Sequence, residues 1–376
     1  MGNHRTITAV GACGASAGGS AKISTGIIKD SGIQFKMETI ALDANSGPSN
    51  ILIGERLANL QRYVPVAKPV IITDVNVGQL YPLESMASDV ITIGTGEEIK
   101  TLDTVRDIYA HLVSLAVDRS AFIVGVGGGI VCDITGFVAS TFLRGVRFGF
   151  VATTLLAQVD ASVGGKNGVN FKGYKNMVGL FHQPEFVICD PELLKTLPRK
   201  EISCGLAEIV KHGAIADADL FAYLEQKAED ILALDRKAIE KLVLASVGIK
   251  SSIVKRDETE KGDRRLLNFG HTFGHAIEKV TGVAHGEAVS MGMVMAAALS
   301  VKKGLLSAEE NQRLRVVLQN LKLPTRLAAQ PQKILDAIAK DKKRAGDCIH
   351  FVLLDGIGNA RVDQLSLQEL KGAINE

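Results

Sequence analysis

The sequence predicts an α/β fold in two parts, an open doubly wound parallel sheet followed by a mostly α-helical domain. Three features carry that expectation. Short continuous apolar runs alternate with helix-like segments in the first half, as in strands buried on both faces of a parallel sheet. After Thr196-Leu197-Pro198 the leucines and isoleucines take up helical spacing. The 376 residues include 38 glycines but only 9 prolines and no tryptophan, a composition suited to many tight strand-to-helix turns. At about 100–200 residues per domain, a chain of this length suggests two domains.

Taken in order, residues 1–33 are rich in Gly, Ala and Ser, notably from Gly11 to Ser20, and read as a mobile extension or a loosely attached strand. Phe35 to Leu42 alternates apolar and polar residues like a strand, Ser46-Gly47-Pro48-Ser49 reads as a turn, and Ile51-Leu52-Ile53 completes a hairpin. Three buried-strand runs follow at Pro69–Asp74, Val90–Gly94 and Ala121–Val126, with a helix-like segment at Thr104–Ala116. The alternation predicts ligands at the carboxyl ends of the strands. Beyond a boundary near residue 195, Asp217–Val254 and Glu287–Val301 read as helical, and Ser307-Ala308-Glu309-Glu310 as a capping box opening another helix.

Composition excludes several function classes. With 43 Lys+Arg against 41 Asp+Glu, the net charge is +2, too small for an electrostatic sheath around nucleic acid. No apolar run approaches the roughly 18–20 residues that span a bilayer, and 46% apolar residues supply a large core. The five cysteines are scattered without a C-x-x-C pair, which argues against a disulfide framework. With no signal-peptide pattern at the start, a cytoplasmic enzyme is expected.

Three clusters could do chemistry. Gly127-Gly128-Gly129 follows a strand run, where backbone N–H groups at the next helix start would meet a pyrophosphate. It is not the G-x-G-x-x-G fingerprint, and its bland reading is a turn needing positive φ. From Arg144 to Asn176, Gly, Lys, Asn and Ser recur as they would in a phosphate cradle or a polar surface loop. The third cluster is the most specific. Glu208 and Lys211 are three apart, His271 and His275 four apart, and His285 follows, so each pair shares a helix face. Such a set suits a divalent metal with nitrogen and oxygen ligands and open positions for substrate. Spacing alone leaves open which histidine binds metal and which shuttles protons.

These residues resemble the 3-dehydroquinate synthase family. The resemblance rests on Gly127–Asp133, Arg144–Phe148, Thr153–Asp160, Ser162–Lys166, Lys195–Pro198, Gly205–Lys211, Leu267–Glu278 and His285-Gly286-Glu287, all in the family's order. It implies a Rossmann-like NAD-binding domain over 34–195 and a helical metal- and substrate-binding domain over 196–376. It also implies a homodimer that uses NAD and Zn²⁺ or Co²⁺. The family's reaction is the second step of the shikimate pathway, converting 3-deoxy-D-arabino-heptulosonate 7-phosphate to 3-dehydroquinate and phosphate.

Residue by residue, the resemblance implies Glu208, His271 and His285 as metal ligands and His275 as the proton relay. Lys166, Lys175, Asn176 and Asn268 match positions around the substrate, Lys175 also serving the dinucleotide. Arg144 would reach the substrate phosphate, with the neighbouring subunit as one source. Lys211 also matches, and Lys250 and Arg264 match positions near the substrate carboxylate. Dinucleotide positions match at Asp74, Asn76, Glu97, Lys100, Gly128, Gly129, Asp133, Thr153, Thr154 and Thr196, and Asp160 is shared between cofactor and substrate. One of Lys342 and Lys343 would meet phosphate. Tyr174 stands where the family usually has Gly, and Asn167 where it usually has Thr. The alternatives are another sugar-phosphate cyclase, or a metal-dependent glycerol or polyol dehydrogenase.

Overall fold

The computed structural model describes residues 22–30, 33–327, 330–342 and 348–374. The chain divides into two compact units, one of residues 1–153 with 161–193, the other of 154–160 with 194–376.

The first unit is built on one eight-stranded sheet. Its strands in chain order are β1 (Lys22–Asp30), β2 (Ile33–Ala44), β3 (Gly47–Ile53), β4 (Val70–Asp74), β5 (Asp89–Ile93), β6 (Phe122–Gly127) and β7 (Arg147–Ala152). A separate hairpin, β8 (Lys166–Phe171) and β9 (Tyr174–Phe181), precedes β10 (Phe186–Cys189). The spatial order in the sheet is β1-β2-β3-β10-β7-β6-β4-β5. From β3 onward all neighbours are parallel, whereas β1, β2 and β3 pair antiparallel. The expected hairpin is present, but it turns at Asn45-Ser46, and Gly47 already pairs with Ala44. Residues 22–30 of the expected N-terminal extension are a strand paired over its full length with β2; residues 1–21 lie outside the described residues.

Every residue of β6 is buried, as a strand covered on both faces requires. Helices α1 (Val75–Leu80), α2 (Leu102–Ser114) and α3 (Gly129–Thr141) make the crossovers. Asp74 caps α1 by accepting from the Asn76 and Val77 N–H groups, and Thr101 caps α2 through the Thr104 N–H. Because β5 lies on one side of β4 and β6 on the other, the winding reverses between β4 and β6. Ligands settle at the carboxyl ends flanking such a reversal.

The second unit is mainly helical. It contains α4 (Arg199–Ala216), α5 (Ala218–Gln226), α6 (Ala228–Leu232), α7 (Arg236–Arg256), α8 (His271–Thr281) and α9 (His285–Lys302). These are followed by α10 (Ala308–Asn320), α11 (Pro331–Lys342) and α12 (Leu367–Ile374). The expected capping box opens α10, where Ser307 Oγ accepts from the Glu310 N–H at 3.1 Å and Glu310 Oε2 accepts from the Ser307 N–H at 3.1 Å. A hairpin, β11 (Cys348–Leu354) with β12 (Ala360–Ser366), interrupts the helical texture and was not anticipated. No helix among the described residues is long and apolar enough to cross a membrane.

Asn167, one of the two departures from the family pattern, has a structural reason. Its buried amide donates to the Gly165 carbonyl at 3.0 Å and the His182 carbonyl at 2.8 Å, tying the start of β8 to the end of β9. It packs so close to α3 that a Cβ on Gly136 would fall 1.9 Å from its Oδ1. Gly136→Ala is therefore expected to destabilise the protein by about 1–3 kcal/mol, the usual cost of overpacking. An unchanged unfolding midpoint in a thermal melt would contradict this packing.

Candidate active site

In the first unit the glycine run 127–129 closes β6 and opens α3. None of the three glycines has positive φ, so the bland reading of a turn needing left-handed backbone does not hold. Space is the reason. A Cβ on Gly127 would sit 2.5 Å from Val131, and one on Gly129 would sit 3.0 Å from the Ala161 Cβ. The α3 start has no side-chain cap, so its first N–H groups are presented to whatever lies there, a ready anion site. Asp74 at the end of β4 and Thr153 just after β7, whose N–H donates to the Gly127 carbonyl at 2.9 Å, belong to the same strand-end edge.

Two segments converge beside α3. The Lys100 ammonium, almost wholly buried, pairs with the Asp133 carboxylate and donates to Asn176 Oδ1 at 2.5 Å. Asn170 in β8 donates to Glu97 Oε1 at 2.8 Å. The β8–β9 hairpin turns at Lys172-Gly173, both with positive φ, as a two-residue type I′ turn demands. Tyr174 thus occupies the first strand position after the turn and is exposed. The sequence left this stretch as a polar cluster, and the structure makes it a hairpin carrying Lys166, Lys175 and Asn176, all exposed. Arg144 lies exposed in a turn where Leu143, Arg144 and Gly145 all have positive φ, backbone that a non-glycine residue adopts only at a cost.

The second unit gathers the remaining candidates. One ligand atom each from Glu208 on α4, His271 at the start of α8 and His285 at the start of α9 lie within 4.8 Å of one another. Glu208 Oε1 is 3.5 Å from His271 Nε2 and 3.3 Å from His285 Nε2. His271 Nδ1 is 3.2 Å from the Phe269 carbonyl. A proton held there leaves the Nε2 lone pair facing the carboxylate, the usual setting of a metal-binding imidazole. His285 Nδ1 faces the Glu278 carboxylate at 3.6 Å, a further prop of that kind. The His275 ring, one turn beyond His271, lies 5.3 Å from the His271 ring and 6.1 Å from the His285 ring. One hard oxygen and two imidazole nitrogens with supported outer nitrogens fit Zn²⁺ or Co²⁺.

Glycines make this meeting possible. A Cβ on Gly286 would stand 2.4 Å from the Cys204 Cα, so α9 passes against the α4 backbone. A Cβ on Gly274 would come within 3.2 Å of the Val289 Cα, bringing α8 equally close to α9.

Around the triad lies a buried charge network. Lys211 pairs with Glu208 and, at 3.5 Å, with Asp160. Lys250 on α7 pairs with the Asp160 carboxylate and donates to its carbonyl at 2.5 Å. Burial alone would raise the Glu208 carboxyl, but Lys211 and His271 hold it well below the usual carboxylate range. Asp160 is likewise held low against its burial, by Lys250 and then Lys211. Burial pushes Lys250 down to about 8, with Asp160 opposing and Arg264 adding to the fall. Arg264 is buried and donates to the Glu258 carbonyl, and Asn268 Nδ2 donates to Glu260 Oε1 at 2.6 Å.

His212, the other histidine of this stretch, is fully buried and pushed down to about 3 by burial and then by Lys211, so it stays neutral. It groups with Asp160 and Glu208, yet two ammonium groups already bear on those carboxylates, and a second divalent cation there would be repelled.

Some expected residues fall elsewhere. Thr154, Asp160 and Thr196 belong to the second unit and the other dinucleotide positions to the first. Asn76 and Thr196 are exposed. The Lys342 side chain and all of Lys343 lie outside the described residues. Sequence reading assigned no role to Glu278, Glu260 or Asn170. Glu278 was legible, since His271, His275 and Glu278 follow the i, i+4, i+7 spacing of one helix face. Glu260 and Asn170 act through loop and bulge geometry that no periodicity reveals.

Fold and site together define a class, an enzyme with an α/β unit and a helical unit, the latter carrying a candidate cation site among buried lysines. Known proteins narrow that class. Residues 90–204 match the model of the 3-dehydroquinate synthase N-terminal region and 205–344 that of the C-terminal region. A 3-dehydroquinate synthase from Geobacter metallireducens is 43% identical over 309 residues, covering 78% of this chain and 85% of that protein. A structure of 2-deoxy-scyllo-inosose synthase complexed with carbaglucose-6-phosphate, NAD⁺ and Co²⁺ has a TM-score of 0.80 at 27% identity, covering 89% of this chain and 99% of the other. The 2-epi-5-epi-valiolone synthase ValA of Streptomyces hygroscopicus, with NAD⁺ and Zn²⁺ bound, gives 0.79 at 29% identity, covering 86% and 95%. The chain belongs to the 3-dehydroquinate synthase family.

If Glu208, His271 and His285 form one cation site, Co²⁺ titrated into metal-free protein should bind at one ion per chain. Glu208→Ala should abolish that binding. Glu278→Ala, which removes the prop on His285, should weaken it about 10–100-fold. Equal affinity in all three proteins would refute the assignment.

Proposed function

We propose that this chain converts 3-deoxy-D-arabino-heptulosonate 7-phosphate to 3-dehydroquinate and phosphate, with bound NAD and Zn²⁺ or Co²⁺. The observation that carries the reading is the convergence of Glu208, His271 and His285 beside buried Lys211 and Lys250, in a chain 43% identical to a curated synthase. When bound, the dinucleotide supplies a hydride acceptor that later returns the hydride, and the divalent cation supplies Lewis acidity.

The chain's own residues do the rest. Glu208, His271 and His285 hold the cation. Lys250 and Arg264 face the substrate carboxylate, where buried cations near a preformed anion site bind without reorganisation. Lys166, Lys175 and Asn176 on the hairpin and Asn268 in the helical unit orient the sugar phosphate. His275, one turn beyond His271 and exposed, relays a proton near the substrate phosphate. Arg144 reaches that phosphate, with the neighbouring subunit of a homodimer as one source. Residues 34–195 form the dinucleotide domain, with the α3 start receiving the pyrophosphate, and 196–376 form the metal and substrate domain. The enzyme acts in the cytoplasm.

Two features speak against the rivals. A polyol dehydrogenase has an uncharged substrate and no use for Lys211, Lys250 and Arg264 together. Asn167, which could have marked a different cyclase, ties the hairpin instead, and Tyr174 stands exposed beside its turn.

Purified protein with NAD and Zn²⁺ should release phosphate from the heptulosonate phosphate with no net NADH. Steady NADH formation from glycerol without phosphate release would favour the dehydrogenase. A heptulose phosphate lacking the carboxylate should be turned over poorly. Lys250 must be charged to hold that carboxylate, and in the free protein it loses its proton as pH rises through about 8. The kcat/KM profile should therefore fall on a basic limb near that pH. In Lys250→Arg, whose side chain stays charged, the limb should move well above it. An unmoved limb would assign the titration to another group.

A further inference from the structure

We propose that Asn170 is a positioning residue that couples the dinucleotide seat to the substrate-binding hairpin. The inference deepens the functional reading above and rests on it for the identity of the two ligands.

The argument starts from the ladder of β8 and β9. Val169 pairs with Val178 and Phe171 with Tyr174, so Asn170 alone on β8 stands opposite Lys175, Asn176 and Met177 on β9. That is a bulge, which re-aims side chains and leaves backbone groups to be satisfied locally. Lys175 and Asn176, the two residues expected at the ligands, are therefore held out of regular register. Asn176 also has φ +51, a conformation that Asn tolerates better than most residues but that still needs fixing.

Asn170 supplies the fixing with both ends of its carboxamide and its backbone N–H. Its side-chain Oδ1 accepts from the Asn176 N–H at 2.8 Å. Its Nδ2 donates to Glu97 Oε1 at 2.8 Å and lies 3.4 Å from the Glu97 carbonyl. Its backbone N–H donates to the Lys100 carbonyl at 2.8 Å, within a single parallel bridge to Thr101. The circuit closes on the far side, where Lys100 Nζ donates to Asn176 Oδ1 at 2.5 Å and pairs with Asp133. Glu97, Lys100 and Asp133 are the acidic and basic side chains expected around the dinucleotide, and Asn176 is expected at the substrate. One carboxamide, with a donor end and an acceptor end, holds both sets in one register.

No other side chain of similar size does this. Aspartate keeps the acceptor for Asn176 but sets a carboxylate against Glu97, and alanine loses both ends. If the circuit transmits, a dinucleotide that fixes Glu97 and Lys100 also fixes Lys175 and Asn176. Each ligand then raises the other's affinity by the same factor.

The test uses the zinc-loaded full chain. NAD affinity is measured by calorimetry, KM and kcat by phosphate release, and hydrogen exchange of residues 166–181 with and without NAD. In the wild type, NAD should slow exchange across the hairpin. In Asn170→Ala, the NAD Kd and the KM for the heptulosonate phosphate should each rise about three- to tenfold, as loss of one or two hydrogen bonds implies. The unfolding midpoint should change little, and NAD should no longer protect the hairpin. Asn170→Asp should weaken NAD more than it raises KM, because only its Glu97 end is spoiled. A lowered unfolding midpoint with Kd and KM unchanged, or hairpin protection that persists in both variants, would make Asn170 a structural residue and overturn the proposal. A wild type that binds no NAD would overturn the functional reading along with it, whereas NAD binding unaffected by both substitutions would overturn the coupling alone.

Discussion

A carboxylate with no access to solvent governs the helical unit. Glu208 is fully buried, and an ionised carboxylate in such a place costs several kcal/mol unless positive charge meets it. Lys211, one turn along the same helix, neutralises one side. On the other side stand two imidazole nitrogens, which carry no net charge of their own unless protonated. The pull of Glu208 and Glu278 raises His285 to about 9 in spite of its burial. The same field that would draw a proton onto His285 would draw in a divalent cation. The site is therefore a well for positive charge before any ion arrives.

That well exists only because three helices approach more closely than ordinary side chains permit. Gly286 lets the start of α9 press against α4, and Gly274 lets α8 press against α9. His285 begins α9, with Glu287 accepting from the Ala284 N–H at 3.2 Å to fix the entry. His271 begins α8 directly after Gly270, whose left-handed φ of +78 swings the chain into the helix. Two of the candidate ligands thus sit at helix starts, one entered through a left-handed glycine and the other beside the Glu287–Ala284 hydrogen bond. The third sits mid-helix on α4. Glycine in His-Gly-Glu and in His-x-x-Gly-His is what lets the candidate ligands meet.

This explains what could and could not be read from the sequence. Parallel strands and long helices announced themselves by apolar runs and period, and the histidine spacing pointed to a candidate cation site, because those signals are local. The pairing of Lys250 with Asp160, 90 positions apart, has no local signature. The β8–β9 hairpin stayed hidden because its turn is Lys172-Gly173 rather than Asn-Gly, and because a bulge breaks the alternation that marks a strand. The β11–β12 hairpin was overlooked although Ile349–Leu354 followed by Gly356 and Gly358 is a legible strand and turn; the helical texture around it dominated. The glycines at 127–129 invited an explanation by positive φ, and close approach turned out to be the operative need.

The charge network also fixes how an anion can enter. In the protein as it stands Lys250 is bonded to both oxygen types of Asp160, side chain and main chain, so its ammonium is not a bare buried charge. Without Asp160, burial and the nearby Arg264 would both drive the proton off Lys250, since each lowers its pKa. A substrate carboxylate would then meet a neutral amine. With Asp160, the ammonium survives to about pH 8 and remains a donor when a second anion arrives. Asp160 must share that donor, and Lys211 faces its other oxygen at 3.5 Å. Its function is accordingly to keep a lysine charged in a place that would otherwise discharge it. The two acids, two lysines and one arginine are therefore electrostatically coupled, and removing any one shifts the protonation of its neighbours.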